Sequence, residues 1–183
     1  MSDRTPAMTP RLRARIAGTF YLITILSGGS ALLVGGTVGL AAGLIAAFCY
    51  VAVTLLFYAI FKPVNRCLSL LAAAVGLAGC AIGPLTMLFK WPIPAANVSL
   101  VFFGVYCLLI STLILKSTFL PPILGGLMAF AGVGWLAFLY SPLAQSLYPY
   151  VFAPGILGEG SLTVWLLLVG LDAQKWTEQA NAR

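Results

Sequence analysis

Glu159 is the one ionisable side chain that the sequence places within a long apolar run. It stands in Gly158-Glu159-Gly160, five residues past Pro154, so about 7–8 Å along a helix that rises 1.5 Å per residue. A carboxyl at such depth in a bilayer is costly and marks a functional site by default. Thr163, one turn further on, offers a hydroxyl, and Lys90 is the single basic residue expected on the same side of the membrane. Glu159, Lys90 and Thr163 are therefore the candidate polar site, suited to a proton or a small polar ligand. The competing reading makes Gly158-Glu159-Gly160 an interfacial helix start, with the carboxylate near the positive N-terminal end of the helix. On a helix Glu159 shares a face with Ile156, Thr163 and Leu166, and the cost of a lipid-facing carboxyl predicts that this face turns inward.

Other chemistries find little support. The chain has no histidine, which removes the commonest general base and metal ligand and any serine–histidine–acid arrangement. Cys49, Cys67, Cys80 and Cys107 form no C-x-x-C pair, and three of them fall in apolar runs, where a thiol acts as a small hydrophobe. No phosphate-binding loop, zinc spacing or nucleophile elbow is present. Asp3, Asp172 and Glu178 lie in the tails, so Glu159 has no second carboxyl with which to share acid and base roles. No catalytic residue, metal or cofactor is expected, and the chain reads as a non-enzyme.

What must position Glu159 is a membrane bundle. Of the 183 residues, 61% are hydrophobic and 8% are charged, too few charges to solvate the surface of a soluble domain. Charges and prolines delimit six apolar runs: Ile16–Val34, Leu40–Phe61, Leu68–Phe89, Val98–Leu115, Ile123–Tyr140 and Pro154–Leu171. Each has about 18–22 residues, or roughly 27–33 Å of helix, enough to cross the hydrocarbon layer. The fold class is thus all-α, a polytopic membrane protein with a bundle of six transmembrane helices. Residues 1–15 form a basic tail, 16–171 the membrane domain and 172–183 a C-terminal tail. The first run follows basic residues as a signal peptide does, but it is too long for a signal core and reads as an uncleaved span.

Basic residues set the orientation. With the N-terminus inside, the cytoplasmic segments hold Arg4, Arg11, Arg13, Arg15, Lys62, Arg66, Lys116, Lys175 and Arg183, nine of the ten lysines and arginines, and the outside holds Lys90 alone. Both termini are expected in the cytoplasm, in a multi-pass protein of the plasma membrane. The net charge of +6 then reads as a topology signal and not as a nucleic-acid surface. Lys62, Asn65 and Arg66 make a basic inner turn that is a candidate contact for anionic lipid headgroups, although positive inner loops are expected on topological grounds alone.

Helix contact in a bilayer depends on small residues. Gly35, Gly39 and Gly43 lie four apart entering the second run. Gly76, Gly79 and Gly83 line the third, and Gly125 starts a similar face in the fifth. These faces pack helices of one chain or of two, so a protein partner or homo-oligomer stays open beside membrane lipid. Pro84 should bend the third span near its outer end.

Several motifs occur in a characteristic order. Arg15-Ile16-Ala17-Gly18 and Tyr21-Leu22-Ile23-Thr24 open the first span, and Lys62-Pro63-Val64-Asn65-Arg66 joins the second to the third. Phe119-Leu120-Pro121-Pro122-Ile123-Leu124-Gly125 leads to Ala131-Gly132-Val133-Gly134-Trp135-Leu136, and Gly158-Glu159 opens the sixth. Over roughly Arg15 to Leu171 the chain resembles the bacterial and archaeal membrane family called domain of unknown function 4386. The resemblance implies a compact multi-pass membrane protein and assigns it no activity. Members of that family often carry an arginine and a glutamate in the third span, where this chain reads Gly76-Leu77-Ala78-Gly79-Cys80-Ala81, without charge. The functional expectation is a structural or accessory membrane protein that binds lipid or a partner. The alternatives are a small-molecule or proton carrier using Glu159 and, less supported, an intramembrane enzyme.

Overall fold

The computed structural model describes residues 8–34, 36–89 and 95–182. Among these residues the chain is helical throughout, with no strand. The long helices are α1 (Pro10–Leu33), α2 (Gly36–Phe61), α3 (Arg66–Phe89), α4 (Ala95–Lys116), α5 (Pro122–Leu136) and α7 (Ala153–Leu168). Two short pieces, α6 (Ser141–Ser146) and the C-terminal α8 (Ala173–Asn181), complete the set.

Local chemistry explains the boundaries. Thr9 caps α1 by accepting from the Leu12 amide, and Pro10 follows at the first turn, where its missing N–H costs nothing. Asn65 caps α3 in the same way, its Oδ1 accepting from the Leu68 amide at 2.9 Å. Pro121-Pro122 starts α5. Past Leu136 the chain tightens into a 3-10 turn at Ala137–Leu139, and a second such turn at Tyr150–Phe152 leads into α7. Gly170, at φ 79°, takes the left-handed conformation that ends α7. Asp172 then caps α8, accepting from the amides of Gln174 and Lys175.

The six long helices close a ring. Each packs on the next in chain order, from α1 to α5, then α5 on α7, and α7 returns to α1. Inside the ring lies one apolar core built around Tyr21, Phe57, Tyr106, Ile110, Met128 and Leu166. The outside is equally apolar: Leu26, Phe48, Leu70, Val133, Ile156 and Leu168 are all exposed. A soluble monomer rarely presents such a surface. Among the described residues four stretches are long and apolar enough to cross a membrane: Gly36–Phe61, Asn97–Lys116, Pro122–Leu139 and Tyr150–Leu168. These are the features of a membrane-spanning helical protein.

Of the six expected spans, four meet that test among the described residues, and the other two lie in α1 and α3, helices of 24 residues each. Within α1 stand the hydroxyls of Thr19, Thr24, Ser27 and Ser30. Each of these hydroxyls donates back to a carbonyl four residues earlier, at 2.6–3.0 Å. In α3 the apolar stretch among the described residues is Arg66–Ile82, within a helix of 24 residues.

The tails also differ from the expectation. Part of the N-terminal tail is helix, because α1 begins at Pro10. The C-terminal tail folds into α8, which docks on the bundle. The Trp176 indole N–H donates to the Ile60 carbonyl at 2.8 Å, and Gln179 bonds to Lys116 and Thr118. The start of α1 meets the end of α7, where Arg11 Nε donates to the Val169 carbonyl. One end of the bundle therefore gathers the start of α1, the ends of α2, α4 and α7, and all of α8.

Candidate functional site

Glu159 sits in the interior of the ring, 8% exposed and six residues into α7. The buried stripe of α7 runs through Gly155, Gly158, Glu159, Leu162, Thr163 and Leu166. Thr163 and Leu166 share the face of Glu159 as expected from helical spacing, but Ile156 does not: it is 63% exposed. The reason is the rotation of α7 set by its glycines. Gly155 lies against the Trp135 ring and Gly158 against the backbone carbonyl of Leu127. With these small residues turned toward α5, the stripe centres between Gly155 and Glu159, and Ile156 swings outward.

The carboxyl is held by donors from two other helices. The Trp135 indole N–H, on α5, donates to its Oε1 at 2.5 Å. The Cys107 thiol, on α4, approaches the same oxygen at 3.7 Å. Trp135 is itself fixed by edge contact with Phe152 and by Phe138, with ring centroids 6.0 and 6.2 Å away. The Tyr21 hydroxyl, from α1, lies toward the same carboxyl without reaching ordinary hydrogen-bond geometry.

Around this group the core is unusually polar for a dry interior. Tyr21, Tyr50 and Tyr106 come from three different helices. Tyr21 meets Tyr50 edge-on at 5.9 Å, and Tyr50 meets Tyr106 at 5.6 Å. All three hydroxyls, with Thr163 Oγ1, are buried and have no partner in ordinary hydrogen-bond geometry among the described residues. The Tyr106 hydroxyl lies toward Thr54, whose own hydroxyl donates to the Tyr50 carbonyl at 2.8 Å. Each buried, unpaired hydroxyl costs about 1–3 kcal/mol relative to a paired one.

Residues 84–170 match the family model described as Domain of unknown function (DUF4386). The DUF4386 segment carries Cys107, Trp135, Glu159 and Thr163, the carboxyl and its direct donors. Tyr21, Tyr50 and Thr54 lie outside it, as do the Arg15 and Lys62–Arg66 motifs, so the match covers the second half of the stretch over which the resemblance was read. Searches of curated proteins and of solved structures returned no match.

The remaining candidate residues are scattered. Lys90 and Gly35 lie outside the described residues, as do the side-chain surroundings of Gly83 and Pro84. The third helix packs on α2 and α4 and is not packed beside α7, which itself lies between α5 and α1. Lys62 and Arg66 are exposed at the turn between α2 and α3, where Asn65 is engaged as the cap of α3.

The glycine rows meet helices of the same chain. A Cβ at Gly39 would run into the Val34 carbonyl, and one at Gly43 would touch Ala31 at 3.8 Å, both on the α1 side. Gly76 faces Thr54 and Tyr106, Gly79 faces Phe103, and Gly125 faces Leu115. No group of three histidine, cysteine or acidic side chains suited to a metal occurs among the described residues.

Sequence reasoning found Glu159 but missed its surroundings. Nothing local in the sequence pairs Trp135 with it, and Cys107 in an apolar run has the character of a small hydrophobe. The available signal was the presence of polar aromatics in the middle of several spans. Tyr21, Tyr50, Tyr106 and Trp135 each stand well inside an apolar run, where aromatics serving only as interfacial anchors would not be placed.

Proposed function

We propose that the protein is a six-span protein of the plasma membrane, with both termini in the cytoplasm, whose working group is Glu159 exchanging a proton inside the bundle. The observation that carries this reading is a carboxyl buried at the core of the ring with no basic partner among the described residues, beside four buried hydroxyls that lack partners of their own. Structural economy would remove such groups, since apolar side chains of the same shape fit a dry core better. A proton is the smallest ligand and needs no cavity. Trp135 supplies a hydrogen bond that steadies the carboxyl in either form, and tyrosine hydroxyls can both give and accept.

The six-span count is supported by the closed ring, in which α1 and α3 run alongside the four strongly apolar stretches. It is supported as well by the internal pairing of the α1 hydroxyls, which removes their cost in lipid. The orientation is supported by one end of the bundle, which carries Arg11, Arg13, Arg15, Lys62, Arg66, Lys116 and Lys175. The proposal includes no enzyme activity, because among the described residues Glu159 has no second carboxyl and no basic side chain beside it.

A second reading has its own observation. The Trp135 and Cys107 contacts tie α5 and α4 to α7, so Glu159 can serve as a hydrogen-bonded joint in an accessory protein. Reconstitution into liposomes with a trapped pH indicator separates the two. Under an imposed pH gradient, wild-type protein should dissipate the gradient, and Glu159→Gln should abolish that flux while remaining monodisperse. Equal flux from both proteins overturns the proton reading. No flux from either, with Glu159→Gln less stable, favours the joint.

A further inference from the structure

A cleft of about 570 Å³ opens at the basic end of the bundle, between the start of α1, the loop before α5, the end of α7 and α8. Arg11, Lys175, Asp172 and Thr118 line its polar side. Arg11 is seated by the end of α7: its Nε donates to the Val169 carbonyl at 3.4 Å, and its Cγ lies 3.2 Å from where a Cβ on Gly170 would stand. Asp172 is engaged in capping α8 and lies 3.9 Å from Lys175. Two cations and one anion leave the cleft with one net positive charge, the complement of a single phosphodiester.

At Trp165 and Val169 this cleft meets a second, apolar one of about 480 Å³, and both residues line both clefts. The apolar groove follows α7 from Ile156 to Val169 and is closed on one side by Leu124 of α5. The thirteen 1.5 Å steps from Ile156 to Val169 make it about 20 Å long, more than the roughly 15 Å depth of one leaflet. Gly160 lies in its wall, and a Cβ added there would meet nothing within 4 Å. Trp165 stands where the charged cleft turns into the apolar groove, a polar–apolar junction of the kind tryptophan favours.

We propose that this continuous surface binds one anionic phospholipid, with its phosphodiester between Arg11 and Lys175 and an acyl chain along α7 past Gly160. Charge complementarity selects the headgroup, and the direct continuity of the polar and apolar halves selects a lipid over a soluble phosphate. The site requires the protein to lie in a membrane but does not depend on Glu159. It also differs from the basic turn at Lys62, Asn65 and Arg66, where Asn65 is used as a cap.

Native mass spectrometry of the full chain in mild detergent tests this, with phosphatidylglycerol and phosphatidylcholine as probes. Wild-type protein should retain phosphatidylglycerol about tenfold better, as expected for two basic groups at an anionic headgroup. Arg11→Ala combined with Lys175→Ala should bring phosphatidylglycerol down to the level of phosphatidylcholine. Gly160→Leu should lower retention of both lipids, because it fills the groove without a clash. Should the double variant lose its melting transition, Lys175→Gln alone, on the exposed side of α8, must lower phosphatidylglycerol retention several-fold. Equal retention of the two lipids by wild type overturns the proposal. So does undiminished binding in the charge variants, or displacement of phosphatidylglycerol by an equal concentration of soluble glycerophosphoglycerol.

Discussion

The indole N–H of Trp135 donates to Oε1 of Glu159 at 2.5 Å, joining the last turn of α5 to the second turn of α7 inside the ring. The bond lies away from bulk water, and its loss leaves the buried carboxyl with the weak Cys107 thiol and the nearby Tyr21 hydroxyl among the described residues. Trp135→Phe keeps most of the packing against Phe138 and Phe152 and deletes the donor. It should lower stability in detergent by about 1–2 kcal/mol, the range for a buried bond to an ionisable group moderated by what is seen in membranes. Glu159→Gln keeps an acceptor for Trp135 and should cost less than Glu159→Leu. Thermal melts of the three variants check this order, and equal melting of the glutamine and leucine variants would contradict it.

Two glycines, two residues apart on α7, should respond oppositely to the same change. Gly158 lies against the Leu127 carbonyl, and a Cβ there would also come within 2.7 Å of Ala131. Backbone cannot move aside cheaply, so Gly158→Leu should separate α5 from α7 and destabilise by about 3 kcal/mol or more. Gly160 faces open space, and Gly160→Leu should leave the melting temperature within a degree or two of wild type. Both can be read in one thermal-shift series.

The contrast marks what was legible in the sequence. The six long helices were readable because charges and prolines stand at nearly every end: Lys62-Pro63, Lys116, Pro121-Pro122. The place of Glu159 in the second turn of its helix followed from its distance to Pro154. The direction in which Ile156 points was not readable, because the rotation of α7 is decided by which glycine meets α5, a long-range contact. The gathering of Tyr21, Tyr50 and Trp135 near Glu159 was hidden for the same reason: it needs α7 to close back on α1. Docking of α8 rests on Trp176 reaching a carbonyl 116 residues away. Its capping by Asp172 was a local signal in plain view.

Native cysteines offer a test of orientation without mutation. Cys67 is exposed beside Arg66 at the basic end, whereas Cys49 and Cys107 are buried. A membrane-impermeant maleimide should label Cys67 in inverted vesicles and spare it in intact cells. Labelling from the outside of intact cells would place the basic end outside and refute cytoplasmic termini. Reporter fusions at the two ends should agree with each other, since Arg11 and Val169 hold the start of α1 and the end of α7 at one face.

The unpaired hydroxyls provide the sharpest separation between a working site and a structural joint. Tyr21, Tyr50 and Tyr106 pack their rings in the core, but among the described residues their oxygens make no hydrogen bond of ordinary geometry. Removing a buried oxygen that has no partner relieves a desolvation cost, so each tyrosine→phenylalanine change should leave stability unchanged or raise it by up to about 1 kcal/mol. A structural role for the cluster therefore predicts three silent or stabilising variants with wild-type behaviour in every other assay. Proton exchange at Glu159 predicts a different pattern. Tyr21, the hydroxyl that lies toward the carboxyl, should be the most sensitive: Tyr21→Phe should slow proton flux several-fold while melting at or above the wild-type temperature. Tyr106, which lies toward Thr54, should matter less. Stability measured by thermal melt and flux measured in liposomes must then move in opposite directions for Tyr21→Phe. A variant that is both more stable and fully active would remove the tyrosine from the proton path, and a less stable one would show that its hydroxyl has a structural partner in the membrane.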